Sequence, residues 1–477
     1  MENNENLNIE EINQENLENP EKTKKERVKE ILLHFFHLDI FFNTINVFVL
    51  LAIFPLAFTS PIFDSFKYAL SDFDITDIYF SKILPTMETP KETDVLLVNI
   101  GVPTSNGLTV IGNFTMGKLI QTINQNEPSV VGINHIIKKD KVNEVYNYFL
   151  ANSLNETKNL VMACNLKKYN TEDGYFKKIE TSDSMFIENA TLAVNNLITG
   201  KDKKYSTIRD FYPKLPHLKQ NLKRNSEENS DYEIEKKDLS YKYAFGLVLA
   251  QKFNPDAVKR LLERKNSKET ISYIGNFNKF EVVDAVDIIE ANIDISIIKN
   301  KIVILAPFDT SGISNELSRM YYTPLNERTA GRTFADMYEV FIHANIISML
   351  LTDQYFDEMT ETASIFYSFV ICYINLALFK YIKNKNEKWF EISSLMIFSI
   401  SSIAIAYFTV NSFYEYRFEL KLTLAILASA VSLFVFEIYY DTVKPLVIRL
   451  FIYIYNTKLV QLIKNKLGFG SKNTINT

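Results

Sequence analysis

The sequence predicts an α/β domain with a mixed, partly parallel sheet, held outside a membrane by four transmembrane helices, one before it and three after. Three observations lead there. Four stretches are long, apolar and almost free of charge; lysine and arginine cluster beside particular ends of them; and the long segment between the first and second alternates short apolar runs with helically spaced ones. Whole-chain averages conceal this, because a charged fraction of 23%, a net charge of −5 and a mean hydropathy of −0.05 are ordinary for a water-soluble protein. No broad basic region offers a nucleic-acid surface. Only Cys164 and Cys372 occur, the second inside an apolar stretch, which excludes a disulfide framework and a cysteine-based zinc site. With 36 Phe and 26 Tyr, the chain has ample aromatic mass for a self-supporting core as well as for lipid contact.

Residues 1–39 are read as a cytoplasmic tail, first disordered and then helical. The Asn- and Glu-rich start (MENNENLNIEEINQENLENPEK) has almost nothing to bury, and Val28–Phe42 extends the first membrane helix toward the interface. His34 and His37 could share a helical face but have no third ligand nearby, so no metal site is expected. The first membrane helix is placed at 40–63. It is too long and too far into the chain for a cleavable signal, and lacks a small-residue cleavage site. The others are placed at 362–379, 392–414 and 422–440, followed by a basic cytoplasmic tail at 441–477. Lys22, Lys24, Lys25, Arg27 and Lys29 precede the first helix. Lys380, Lys383, Lys385 and Lys388 lie between the second and third, and Lys444, Arg449 and Lys458 follow the fourth. The loop 415–421 carries two cations against two acids. The positive-inside rule then puts both termini in the cytoplasm and residues 64–360 outside it. On the fourth helix Ala425, Ala428, Ser429 and Ser432 give four-residue small spacings, suited to close helix packing.

Within the outer segment, DVLLVNI (94–100) and SVVGIN (129–134) read as buried strands, with Met116, Leu119, Ile120 and Ile123 marking a helix between them. That order with short connections favours a parallel pair. Further strands are expected at 160–163, 191–194, 271–274 and 301–306, with helices at 239–252 and 334–351; the lysine- and acid-rich 201–237 reads as a surface excursion.

This arrangement resembles the second-class CHASE family, the cyclase- and histidine-kinase-associated extracellular sensing domains of bacteria. The resemblance is carried by FDITDIYFSKILP (73–85), DVLLVNIG, 115–125, VVGIN, ISYIGNF (271–277), KIVILAPFDT (301–310), YYTP (321–324) and VFIHANIISMLL (340–351). It implies a membrane receptor that relays an extracytoplasmic signal through its helices to a separate partner. Gly101 and Asn134 stand where the family often has aspartate, Glu339 where it usually has glycine and Phe341 where glutamate is common. No ligand chemistry is carried over.

The residues offered for ligand binding are Asp309, which follows a strand at its carboxyl end, and Thr323, His343 and Asn345 in or beside the closing motifs. An alternative has His343 and Asn345 satisfied by loop backbone, with Thr323 and Pro324 shaping a turn. No phosphate loop, dinucleotide fingerprint, HExxH or GxSxG occurs, so neither catalysis nor a cofactor is expected. The stretch after Tyr440 is too short for a kinase or cyclase domain. Expected partners are the lipid bilayer, an extracytoplasmic ligand, a signalling protein and a second copy of the chain, with no nucleic acid. The competing function is a scaffold or assembly subunit of an envelope complex.

Overall fold

The computed structural model describes residues 38–57, 74–88, 90–104, 107–170, 172–197, 206–218, 239–309, 311, 319–326 and 334–455. The expectations for the N-terminal tail with His34 and His37, for the end of the first membrane helix and for the last twenty or so residues fall outside these. The chain divides into two units, 68–357 with 410–419, and 1–67 with 358–409 and 420–477.

The first unit is built on a sheet of nine described strands: β1 (Val95–Asn99), β2 (Val130–Ile133), β3 (Leu160–Asn170), β4 (Tyr175–Glu180), β5 (Thr191–Val194), β6 (Lys214–Leu218), β7 (Leu239–Tyr243), β8 (Glu281–Asp284) and β9 (Ile302–Ala306). Their order is β7-β6-β4-β3-β2-β9-β1-β8, with β5 also on β3. The run β3-β2-β9-β1-β8 is parallel throughout. Beyond it, β4 pairs antiparallel with the far half of β3, and β7 antiparallel with β6, so the sheet is mixed.

Alternation along the strands sends successive side chains to opposite faces. Val95, Leu97, Ile302 and Ile304 join one core cluster, while Leu96, Val98, Val303 and Leu305 join the other. Helices α1 (Asn113–Gln125), α2 (Glu144–Asn155) and α3 (Ala285–Ile289) cover the second face. The first is covered by α4 (Phe245–Phe253), α5 (Pro255–Arg264) and α6 (Glu339–Thr352). Both faces are buried, which is why the central strands read as continuous apolar runs. Glycine sets two of the close approaches: a Cβ at Gly132 of β2 would stand 2.9 Å from Leu249 of α4, and one at Gly246 would stand 3.1 Å from the carbonyl oxygen of His343.

Several expectations need correction. The helix expected at 239–252 begins only at Phe245, because Leu239–Tyr243 pairs with β6. That pairing partner, Lys214–Leu218, lies inside the supposed surface excursion, and Leu215, His217 and Leu218 are buried. The 271–274 run is not a strand; only Glu269–Thr270 pairs, with Asp210–Phe211. The closing helix starts at Glu339 rather than Phe334, and eleven of its residues are buried, which makes it a central element of the core.

Three helices are long and apolar enough to cross a membrane: Glu361–Lys385 in the second unit, Glu387–Tyr416, which begins there and ends in the first, and Thr423–Leu450, again in the second. The first two extend beyond the expected 362–379 and 392–414. Leu38–Ala57 is a further apolar helix. Ala425, Ala428, Ser429 and Ser432 are all buried, and Asn375 donates to Ser429 Oγ at 2.8 Å and to Ser401 Oγ at 3.2 Å. Asp39 accepts from Lys444 at 2.7 Å and pairs with Lys380 at 3.5 Å, joining the start of one helix to the ends of two others.

Candidate functional site

The four residues offered from the sequence sit in separate local settings. Asp309 closes a local turn, accepting from the Ser311 amide at 2.8 Å and its hydroxyl at 2.5 Å. Thr323 is tied to Asp336, which accepts from its amide at 2.8 Å and its hydroxyl at 2.5 Å. Burial outweighs these bonds and pushes the Asp336 carboxyl up to about 6. Asn345 has no exposure and every polar atom engaged. Its oxygen accepts from the Ile274 amide at 2.8 Å, and its Nδ2 donates to the carbonyls of Gly275 at 2.9 Å and Phe341 at 2.8 Å. His343 is 1% exposed, rests edge-on against Phe245, and has neither ring nitrogen hydrogen-bonded; Glu339 stands 3.9 Å away, one helical turn back.

A cavity of about 400 Å³ opens in the first unit, at the carboxyl ends of β2 and β5 and beside the middle of β3, where its parallel pairing ends. Asn134, His135 and Ile136 follow β2; Ala163, Asn165, Leu166 and Lys167 lie along β3; Asn195 and Asn196 follow β5. Arg319, Tyr321 and Glu339 complete the lining. The carboxyl edge of parallel strands is where open α/β sheets place ligands, since the chain there leaves the sheet in loops that differ in direction. Met320–Tyr321 pairs antiparallel with Met337–Tyr338, which carries Arg319 and Glu339 to the same rim.

The lining amides differ in what they do. Asn196 is spent on the β3 backbone, accepting from Leu166 N at 2.6 Å and donating to its carbonyl at 3.0 Å. Asn165 donates to Glu180 at 3.3 Å. Asn195 is 7% exposed with its oxygen unpartnered, and Asn134 is 4% exposed with no side-chain bond to a described residue. His135 is pushed down to about 4 by burial and by Arg319 beside it, so the ring is neutral near pH 7. Glu339 and burial raise Tyr321, keeping its hydroxyl protonated. Cations therefore come from Arg319 and Lys167, and the one described carboxylate in the lining is Glu339. Among the described residues no cluster of His, Cys, Asp or Glu has the makings of a metal site.

Sequence reasoning missed this cavity, although Asn134 and Glu339 stand among the departures from the resembled pattern. The available signal was an asparagine directly after each of two apolar strand runs, SVVGIN and TLAVNN.

An α/β domain of this kind, with a polar cavity at its strand ends and apolar helices in the same chain, belongs to the class of membrane-borne binding domains. The chain is a member of the CHASE2 family: the CHASE2 domain matches residues 48–377. It is thus an extracytoplasmic sensor domain, non-catalytic, of the kind that relays a signal across a membrane. Comparison with curated proteins and with solved structures finds no match.

Proposed function

We propose that the chain is a receptor whose ligand enters the strand-end cavity and whose signal leaves through the helix ends built into the outer unit. The observation that carries this is the insertion of Val410–Glu419, the end of a membrane-crossing helix and the turn after it, into the outer unit. Phe413 is 1% exposed and stacks on Phe356 at 4.1 Å with planes 7° apart; Tyr79 and Phe80 meet it edge-on at 5.4 and 5.6 Å. Arg417 lies 5.2 Å over the Phe356 ring and donates to Ser272 Oγ at 3.0 Å and Gln354 Oε1 at 2.8 Å. Residues adjoining the entry, the exit and a later helix thus share one aromatic cluster, and a shift in the outer core must be felt at all three. Interiors this closely packed rearrange between discrete states rather than yielding smoothly.

In this reading Leu38–Ala57 belongs to a fourth crossing at 40–63, the outer domain spans 64–360, and crossings at 362–379, 392–414 and 422–440 precede a cytoplasmic tail from 441. Both termini are cytoplasmic. The Asp39–Lys380–Lys444 cluster supports this, since it brings together helix ends that the topology assigns to one side. Of Asp309, Thr323, His343 and Asn345, Thr323 acts nearest the cavity, pinning Asp336 and with it the strand pair that carries Arg319 and Glu339. The other three serve the packing and turns of the outer unit.

The test is Arg417→Gln in the full-length protein in native membranes. The outer unit should stay folded by protease resistance, while the downstream response or the co-purifying kinase, cyclase or regulator is lost. Undiminished response would rule the route out. Co-purification of structural envelope proteins, retained in Arg417→Gln, would favour the scaffold.

A further inference from the structure

We propose that the cavity binds a small zwitterionic carboxylate, an amino-acid-like molecule, an inference that rests on the cavity being the sensing site. The argument begins with unmet demand. Buried polar side chains are nearly always hydrogen-bonded, because each unpartnered group forfeits the hydrogen bonds it made to water. Asn134 and Asn195 line the same cavity at 4% and 7% exposure, and the described protein supplies neither amide in full. Among the described residues neither finds that partner, which leaves it to a molecule held in the cavity.

Charge then narrows the partner. Arg319 and Glu339 share a backbone hydrogen bond, Glu339 N donating to Arg319 O at 3.2 Å, yet their side chains form no ion pair. Among the described residues Arg319 has no side-chain hydrogen bond or ion pair, and the Glu339 carboxylate has only His343, 3.9 Å away. Two opposite charges left apart in one cavity suit a ligand that carries both. A simple anion would meet Arg319 but also face Glu339, and a simple cation would face Arg319; each pays for one unfavourable neighbour. A zwitterion places its carboxylate on the guanidinium, whose forked donors match it, and its ammonium on Glu339. The Asn134 and Asn195 amides take remaining polar atoms, and His135 contributes a neutral ring. Lys167 is 57% exposed and shared with Glu180 at 3.5 Å, so it attracts at the rim rather than anchoring. A cavity of about 400 Å³ lies near the lower end of small-molecule sites, which suits a single metabolite rather than a peptide.

The experiment uses the full-length protein in lipid nanodiscs, with melting temperature and titration calorimetry as readouts. The probes are the twenty standard L-amino acids, acetate, a simple alkylamine and inorganic phosphate. Any amino acid that binds is then retested as its amide and its N-acetyl derivative. At least one amino acid is expected to bind saturably, with both derivatives at least tenfold weaker. Arg319→Gln and Glu339→Gln should each weaken it at least tenfold, and Lys167→Gln less than threefold. If a variant does not fold, the derivatives decide on the wild-type protein. Absence of any amino-acid binding, or wild-type affinity in folded Arg319→Gln or Glu339→Gln, overturns the proposal. Acetate or phosphate binding that needs Arg319 but not Glu339 would replace zwitterion by anion and leave the cavity as the sensing site. If no probe binds and Asn195→Leu leaves the downstream response intact, the sensing role of the cavity falls too.

Discussion

At the scale of single residues, the polar groups of the outer unit divide into those spent on the backbone and those left to face the cavity. Asn345 is the clearest of the first kind. Asn345→Ala would remove the partner of the Ile274 amide and of the Gly275 carbonyl in a largely buried site, at about 1–3 kcal/mol for each group. Thermal unfolding should show a loss of several degrees with ligand affinity unchanged in whatever fraction remains folded. Asp336 gives a pH signature. Its folded-state value of about 6 lies above the unfolded value of about 3.9, so the stability it contributes is fully present below pH 4 and is lost as pH rises through 6. The melting temperature of Asp336→Asn, relative to wild type, should therefore climb between pH 4.5 and 7.5, by the equivalent of about 2 kcal/mol. A flat difference across that range would contradict the assignment. The sequence displayed Thr323, His343 and Asn345 as polar residues in an apolar closing motif. It could not show that Thr323 and Asn345 are consumed by Asp336 and by backbone, because those bonds span 13 and 71 residues.

Elements were legible where burial is two-sided. DVLLVNI, SVVGIN and KIVILA are continuous apolar runs because helices cover both faces of the strands they form, and the α1 spacing follows from having one face to bury. Legibility failed where pairing rather than periodicity decided. Leu239–Tyr243 carries helix-like apolar content but is taken by β6, and KLPHL, with a proline and two charges or near-charges around it, gave no strand signal at all. The α4 helix offers a direct check on how the layers meet. In Gly132→Ala the new methyl would press on Leu249 and Phe245, at 2.9 and 3.1 Å, and close packing leaves little room to yield. A cost of about 1–3 kcal/mol is expected, measured by denaturant unfolding. Gly132→Ala combined with Leu249→Ala should recover part of it, since the second change vacates the space the first one fills.

For the whole molecule, topology is testable without knowing the ligand. Reporter fusions at Lys201 and Tyr416 should register outside the cytoplasm and fusions at Lys385 and Lys472 within it; an outside signal at Lys385 would remove the four-crossing arrangement. The three membrane segments after the outer domain were readable from apolar length alone, because a bilayer imposes a span that few other environments require. What charge counting could not reveal was the pairing of particular ends, as in Asp39 with Lys380 and Lys444. That cluster bears on how the protein is made. Asp39 is synthesised 405 residues before Lys444, so a ribosome must deliver those residues before the carboxylate acquires both cations. Until then Asp39 can meet only Lys380, at 3.5 Å, and the shorter contact, at 2.7 Å, waits for Lys444. The cluster is therefore closed by a late event in synthesis, at which a chain that has reached Lys444 differs from one interrupted before it.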